Sequence, residues 1–295
     1  MNFLKNVLSS LTALFIFSGI IFFISLGIIF LGNSSDLDIE TPSLLHLKLN
    51  TSVLDRENSS KFKISDSDNF TNSLISIQNA LSSAKNDSLI KGVFLELGEL
   101  KGSLANVSSL KRSLEGFKST GRKIIVYSDG LSQIGYYLAS SADSIFVNNL
   151  SSIEWKGLGA QLMYFKSMLD KIGIEAEPLR AGKFKSAIEP FIMDSMSSEN
   201  QYQINEMLYD IWGGILQDVS RHRGIDIEEL NKIANDFGYL MPYEALELGL
   251  IDGVKYEDEI YSCLDNIVNG KTNLISVKSY NEANKTISFK ESKIV

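Results

Sequence analysis

Residues Val93–Asn148 read VFLELGELKGSLANVSSLKRSLEGFKSTGRKIIVYSDGLSQIGYYLASSADSIFVN, and their rhythm decides the fold. Val93–Leu97 (VFLEL), Ile124–Tyr127 (IIVY) and Ser144–Asn148 (SIFVN) are short apolar runs bounded by turn residues, as buried strands are. Between the first two, Leu104, Val107, Leu110, Leu114 and Phe117 recur at the spacing of one helix face, and Gly121 ends the connection. Tyr136–Ser140 falls on another helix before the third run. Strands alternating with helices predict an α/β domain with largely parallel pairing.

Outward from this core the pattern continues. Leu44–Asn50 alternates, with Leu45, Leu47 and Leu49 on one face and His46, Lys48 and Asn50 on the other, which predicts a half-buried strand with His46 on its surface. Glu57–Phe70 is rich in Ser, Asn and Asp and reads as a loop. Leu74, Ile77, Leu81 and Ala84 have helical spacing. Downstream, Leu162–Ile172 reads as a helix closed by Gly173, and Glu175–Arg180 as a strand. Ser198-Glu199-Asn200-Gln201 has capping-box spacing and opens a long helix. Its stripe is Ile204, Met207, Leu208, Ile211, Trp212, Ile215 and Val219, and Gly224 closes it. His222 lies in its last turn between Arg221 and Arg223, where cations complement the carbonyl end. Shorter helices cover Asp226–Phe237 and Tyr243–Leu248, the latter stopped by Gly249.

Composition removes several classes of function. The 295 residues carry 44% hydrophobic and 22% charged side chains, too apolar for a wholly disordered chain. The net charge of −8 and the lack of any Lys/Arg-rich stretch argue against nucleic-acid binding. One cysteine, Cys263, forms no intramolecular disulfide or cysteine metal cluster, and two histidines make no multi-histidine metal site. No metal or cofactor is expected. Leu11–Leu31 (LTALFIFSGIIFFISLGIIFL) lacks any charge and would span about 31 Å at about 1.5 Å per residue. It is too long for a signal-peptide core and has no A-x-A-like site, so an uncleaved signal anchor is preferred over a cleaved signal. The expected order is a cytoplasmic head (1–10), the anchor (11–31), a polar linker (32–42), one domain (43–270) and a connecting tail (271–295). Lys5 before the span, against Asp36, Asp38 and Glu40 after it, puts the domain on the non-cytoplasmic side of the inner membrane.

A Ser-His-Asp triad needs a histidine base, and His46 and His222 both have structural readings. A serine nucleophile can instead use a neutral lysine, which burial favours. Leu179–Met193 (LRAGKFKSAIEPFIM) offers Lys185 at a strand end, with Gly182 to permit an unusual backbone, Phe184 to pack the turn and Ser186 to hydrogen-bond the amine. Spacing alone leaves Lys183 an equal neighbour.

The segment Gly182-Lys183-Phe184-Lys185-Ser186-Ala187-Ile188-Glu189-Pro190-Phe191 resembles the G-x-Y-K-S-A-x-E-P-F motif of the signal peptide peptidase A (protease IV) family. The resemblance extends to Ser132-Gln133-x-Gly135-Tyr136-Tyr137-Leu138-Ala139-Ser140, to Tyr164-x-Lys166-Ser167-x-Leu169-Asp170-Lys171 and to Gly249-Leu250-Ile251-Asp252, across roughly Leu44–Asp258. It implies a Clp protease/crotonase-like fold of repeated strand-strand-helix units behind one transmembrane helix. It makes Lys185 the general base of a Ser-Lys dyad that degrades cleaved signal peptides and similar hydrophobic segments. It also implies a homo-oligomer, a tetramer by family precedent.

The departures are as specific. Short family members carry the nucleophile in A-S-G-G-Y-Y, and alignment on Gly135-Tyr136-Tyr137 places Gln133 at the serine. The oxyanion loop S-P-G-G aligns with Glu99-Leu100-Lys101-Gly102, so Lys101 replaces its first glycine while Gly102 stays. Long members have two such domains, the first giving the lysine and the second the serine and oxyanion loop. The chain therefore resembles the amino-terminal half of a long form, as a truncated chain or a natural half, inactive alone and needing a second domain or subunit for its serine. Ser132, one residue away, is a stray alternative nucleophile. A non-catalytic, membrane-tethered peptide-binding scaffold is the competing reading. A crotonase-type acyl-CoA enzyme is disfavoured by Lys101 in the loop.

Overall fold

The computed structural model describes residues 2–31, 41–50, 52–55, 73–179, 182 and 184–291, with side chains described except at 2–4, 27–31 and 285–291. Most of the expected linker (32–40), the loop Glu57–Phe70, Arg180 and Lys183 lie outside the described residues. In chain order the elements are α1 (Asn2–Leu31), β1 (Ser43–Leu49), α2 (Leu74–Ala84), β2 (Ile90–Leu97), α3 (Leu104–Lys118), β3 (Lys123–Ser128), α4 (Gln133–Ala139), β4 (Ser144–Val147) and β5 (Ile153–Trp155). Then come α5 (Lys166–Lys171), a 3-10 turn (Ser186–Ile188), α6 (Glu189–Ile192), α7 (Ser198–Arg223), α8 (Ile227–Asp236), β6 (Gly238–Leu240), α9 (Pro242–Glu247), β7 (Gly253–Val254), α10 (Glu257–Val268), β8 (Leu274–Ser276) and α11 (Val277–Glu291).

Two compact units are present: Met1–Ile39 with Glu282–Val295, and Glu40–Asn281. In the first, Lys5–Leu26 of α1 is long and apolar enough to cross a membrane. Three of its hydroxyls bond its own backbone: Thr12 donates to Leu8 (3.0 Å), Ser18 to Phe15 (3.0 Å) and Ser25 to Ile21 (2.8 Å). A polar side chain in hydrocarbon needs such an internal acceptor.

In the second unit, six strands form one sheet in the order β7-β4-β3-β2-β1-β8, all pairs parallel. The alternation read in the sequence sorts onto two faces. Leu45, Leu47 and Leu49 pair in register with Val93, Leu95 and Leu97, and all six are buried. The opposite face packs Leu44, Phe94, Ile125 and Tyr127 against Ile260, Leu264 and Val268 of α10. Burying an apolar side chain of this size stabilises by about 1.5–3 kcal/mol. Gly92 pairs with Lys123 of β3, and a Cβ there would lie 2.6 Å from the Lys123 carbonyl oxygen, so no larger residue fits without moving the strands. Toward the strand ends the α10 face turns polar. His46 stacks on Phe94 (5.2 Å between ring centres) and its Nε2 lies 3.0 Å from Glu96 Oε2, while Lys48 also pairs with Glu96. Hydrogen bonds from His46 and then Lys48 hold the Glu96 carboxyl below its usual range. His46 is thus half-buried and bonded rather than simply on the surface.

Three local expectations change. Glu175–Leu179 is irregular, not a strand, and Leu179 is fully exposed. Pro178 lacks an N–H, and a strand without a paired neighbour gains nothing from being extended. The helix expected over Leu162–Ile172 is only α5, because the Phe165 N–H bonds the Pro190 carbonyl (2.6 Å) instead of a preceding turn. The cap of α7 is Ser197, one residue before the expected box, and its Oγ accepts the Asn200 N–H (3.2 Å). The short antiparallel pair β5–β6 and α10 were not anticipated; three-residue strands carry too little pattern to be read.

Candidate functional site

The arm between Gly157 and α7 carries Lys185. After β5 the chain turns at Gly157 (φ +80°), runs irregularly to α5, and returns through the 3-10 turn and α6. Lys185 precedes that turn and is exposed, as is Gly182 (φ +104°); Ser186 is half-buried. Among the described residues the amine is therefore not buried as expected, because the segment follows an irregular stretch instead of ending a strand. The arm holds itself together. Phe165 stacks on Phe191 (5.9 Å), and Ser167 donates to Asp194 (2.7 Å). Glu189 of the E-P-F triplet is 1% exposed and accepts from Ser197 Oγ (2.5 Å), Ser197 N (3.2 Å) and Asn200 Nδ2 (3.0 Å). That carboxylate sits at the positive end of α7 and locks the lysine segment to its first turn. Its role was missed in the sequence, although an acid just before a capped helix is the available signal.

The other half of the expected dyad is occupied. Gln133 opens α4, and its side chain folds onto the root of the arm. Oε1 accepts from Lys156 N (2.8 Å) and Gly157 N (3.0 Å), and Nε2 donates to Gly157 O (3.0 Å). Ser132 is the helix cap: its Oγ accepts the Gly135 N–H (3.2 Å). The Gln133 N–H donates to Glu154 Oε2 (3.0 Å). Burial opposes charge on Glu154, but hydrogen bonds from Lys156 and the Gln133 amide outweigh it and hold that carboxyl below its ordinary range. The loop that aligns with the oxyanion motif lies beside α4, with Leu100 Cβ 3.9 Å from where a Cβ on Gly135 would be. Leu100 is buried and its N–H bonds Gly98 O (2.8 Å). Lys101 is exposed and pairs with Glu99 (3.1 Å), Gly102 is exposed, and the Lys101 carbonyl accepts from Val53 N (3.1 Å). Fold topology thus brings Gln133 and the 98–102 loop together, while Lys185 rides on a separate arm.

A lysine and a serine do meet inside the chain. Lys111 Nζ donates to Ser140 Oγ (2.8 Å) and lies 4.2 Å from the Tyr137 ring centre. Burial pushes the amine down to about 8, against the pull of Asp218 and Glu115. Lys111 is 1% exposed and Ser140 0%, so no substrate carbonyl reaches them. The signal was available: Lys111 is four residues after Val107, on the buried stripe of α3. His222, beside this cluster, points Nδ1 at the Asp218 carbonyl (2.7 Å) and Nε2 at Glu115 (3.0 Å), a helix-to-helix tie.

Residues 116–270, more than half of the chain, match the model of peptidase family S49. The chain belongs to peptidase family S49. Its S49 relatives include Protease 4 of Haemophilus influenzae, 32% identical over 215 residues, 68% of this chain and 35% of that protein. Protease 4 of Salmonella typhi is 32% identical over 160 residues (54% and 26%), and the chloroplastic serine protease SPPA of Arabidopsis thaliana 29% over 178 residues (60% and 26%). The chain spans about a third of the length of the first and about a quarter of the other two. Several motifs within the matched region touch. Tyr136 donates from its hydroxyl to Leu250 O (2.9 Å), and Asp252 accepts from Ile145 N (2.7 Å) and bidentately from Arg223 (3.0 and 3.1 Å). In this S49 chain those residues fasten α4, α7 and β4 together, which is a structural role.

Proposed function

We propose that the chain supplies the general-base lysine, Lys185, of a membrane-anchored Ser-Lys endopeptidase that degrades cleaved signal peptides and other short hydrophobic segments. A second S49 domain or subunit supplies the serine and the oxyanion donors. The observation that carries this reading is the arm itself. The same arm carries Lys185 and exposes Met163, Ile172, Leu179, Phe184 and Phe191, apolar side chains that a covering surface would bury. Covering it expels water, and a lysine accepts a proton in the neutral form that desolvation favours. The serine oxygen then attacks the scissile carbonyl carbon while its proton passes to Lys185 Nζ. As the C–N bond breaks, that proton goes to the leaving amine, and water hydrolyses the acyl-serine ester. Each oxyanion donor in the partner contributes on the order of 3 kcal/mol. By the same reading α1 anchors the chain and the domain lies on the non-cytoplasmic side.

The test is Lys185→Ala in the complete enzyme, assayed on a signal-peptide-derived substrate. Hydrolysis falls by about 10²–10⁴-fold with the melting temperature unchanged, whereas Lys183→Ala is mild. Near-normal turnover by Lys185→Ala overturns the assignment. Gln133 and the capping role of Ser132 favour a second reading, a non-catalytic peptide-binding scaffold. A serine-directed acylating probe that labels Ser132 in the isolated chain would oppose both readings and revive a one-domain mechanism.

A further inference from the structure

We propose that Gln133 is a positioning residue: its carboxamide clamps Lys156–Gly157, the root of the arm, and so fixes where Lys185 is presented. This rests on Lys185 being the base. Three hydrogen bonds of 2.8–3.0 Å join one side chain to two consecutive residues. The carboxamide acts as a peptide group does in a strand, giving Gly157 both an acceptor and a donor. It prolongs a pairing that the backbone starts: Leu131 N bonds Ser152 O (3.0 Å) and Glu154 N bonds Leu131 O (2.8 Å). At Ser132 the main chain leaves to form α4, and the Gln133 side chain takes over the next position. Gly157 adopts φ +80°, where a side chain would be strained and its Cβ would stand 4.0 Å from Trp212. Beyond Gly157, residues 158–165 form no regular element, and the chain is next tied down where the Phe165 N–H meets the Pro190 carbonyl (2.6 Å), so the Gln133 contact sets where this irregular stretch departs. The far end of the arm is held by Glu189 on Ser197 and Asn200. A serine at 133 is two carbon–carbon bonds shorter than Gln133 and could not reach both amides, so the residue that would make a nucleophile cannot make the clamp.

The test compares the full chain with Gln133→Met, which keeps the length and loses the polarity, and Gln133→Ser, which keeps a good helix-start residue and loses the reach. The Lys156 and Gly157 amides should exchange hydrogen at least about tenfold faster in each variant. The amides of Tyr136–Ala139 should stay protected. Trypsin should cut the arm at Lys166, Lys171 or Lys185 faster by a similar factor. Unchanged exchange at Lys156 and Gly157, or unchanged trypsin cleavage, overturns the proposal. If Gln133→Met does not fold, Gln133→Ser decides by the same criteria. In the complete enzyme kcat should fall with KM nearly constant, because the base is displaced while the peptide still binds. An unchanged kcat beside faster exchange also overturns it. A wild-type chain that never supports hydrolysis sinks the peptidase reading instead; exchange and trypsin rates, read on the chain by itself, still decide the clamp.

Discussion

Tyr136 has its hydroxyl buried and aimed at the Leu250 carbonyl, 114 positions away. Removing only that oxygen, by Tyr136→Phe, leaves the carbonyl without its donor inside the protein. The expected cost is about 1–3 kcal/mol, read as a fall of about 2–10 °C in Tm with no change in fold. A variant that melts with the wild type would show that water reaches Leu250. Glu189 works by the same logic with higher stakes, since Ser197 N, Ser197 Oγ and Asn200 Nδ2 all donate to its buried carboxylate. Gln133 and Ser132 carry no comparable burial penalty; they satisfy backbone N–H groups at a helix start and an arm root.

Among the elements, α7 is the one whose packing is uneven. Its amino-terminal half exposes Tyr202, Met207 and Tyr209, while Ile215, Leu216 and Val219 are buried. Of the expected stripe, Ile215 and Val219 are buried, Ile204, Leu208, Ile211 and Trp212 are half-buried, and Met207 is exposed, so cover thins toward the amino-terminal end. The carboxy-terminal end meets α3 and α4 through the polar cluster around Lys111: Tyr137 donates to Asp218 (2.8 Å), and His222 contacts Glu115 (3.0 Å). The Lys111 amine, at about 8 in the fold against 10.5 unperturbed, binds its proton less well when folded. Between those values the unfolded chain holds the extra proton, so this group makes stability rise with pH across the window. Below about 8 both states are charged and its cost is constant, on the order of 3 kcal/mol. Lys111→Met should therefore stabilise the protein at pH 7 by about 1–3 kcal/mol, with the gain shrinking as pH climbs toward 10. Ser140 keeps its bond to Tyr137 O (2.8 Å) in that variant. Urea melts of both proteins at pH 7 and pH 10 check this, and a variant destabilised at pH 7 would show that Asp218 and Glu115 depend on the ammonium.

At the scale of the whole molecule, the arm is one of the surfaces where large apolar side chains stand uncovered. Leu179 and Met163 project from it, at 104% and 73% exposure. If a second copy or second domain covers this surface, Met163→Asp with Leu179→Asp should shift the detergent-solubilised chain to a smaller species by light scattering. An unchanged mass would place the contact elsewhere. Much of the architecture was legible beforehand. The alternation of Leu45, Leu47 and Leu49 and the helical spacing from Leu104 to Phe117 specify strand and helix because those periods are properties of the backbone itself. Gly224 at a helix end and the uncharged run of α1 are equally local signals. What the sequence could not settle depends on distant partners. Glu175–Leu179 reads as a strand but is irregular, and Ser132, a stray alternative nucleophile in the sequence, caps α4. Lys111 met Ser140 across 29 positions, and Gln133 met Gly157 across 24. By itself the sequence determined the parallel α/β sheet, the apolar amino-terminal helix and the membership of family S49. Only the tertiary structure decided which polar groups are paired, buried or left for another surface, because desolvation and hydrogen bonding are set by atoms that the chain brings together after it folds.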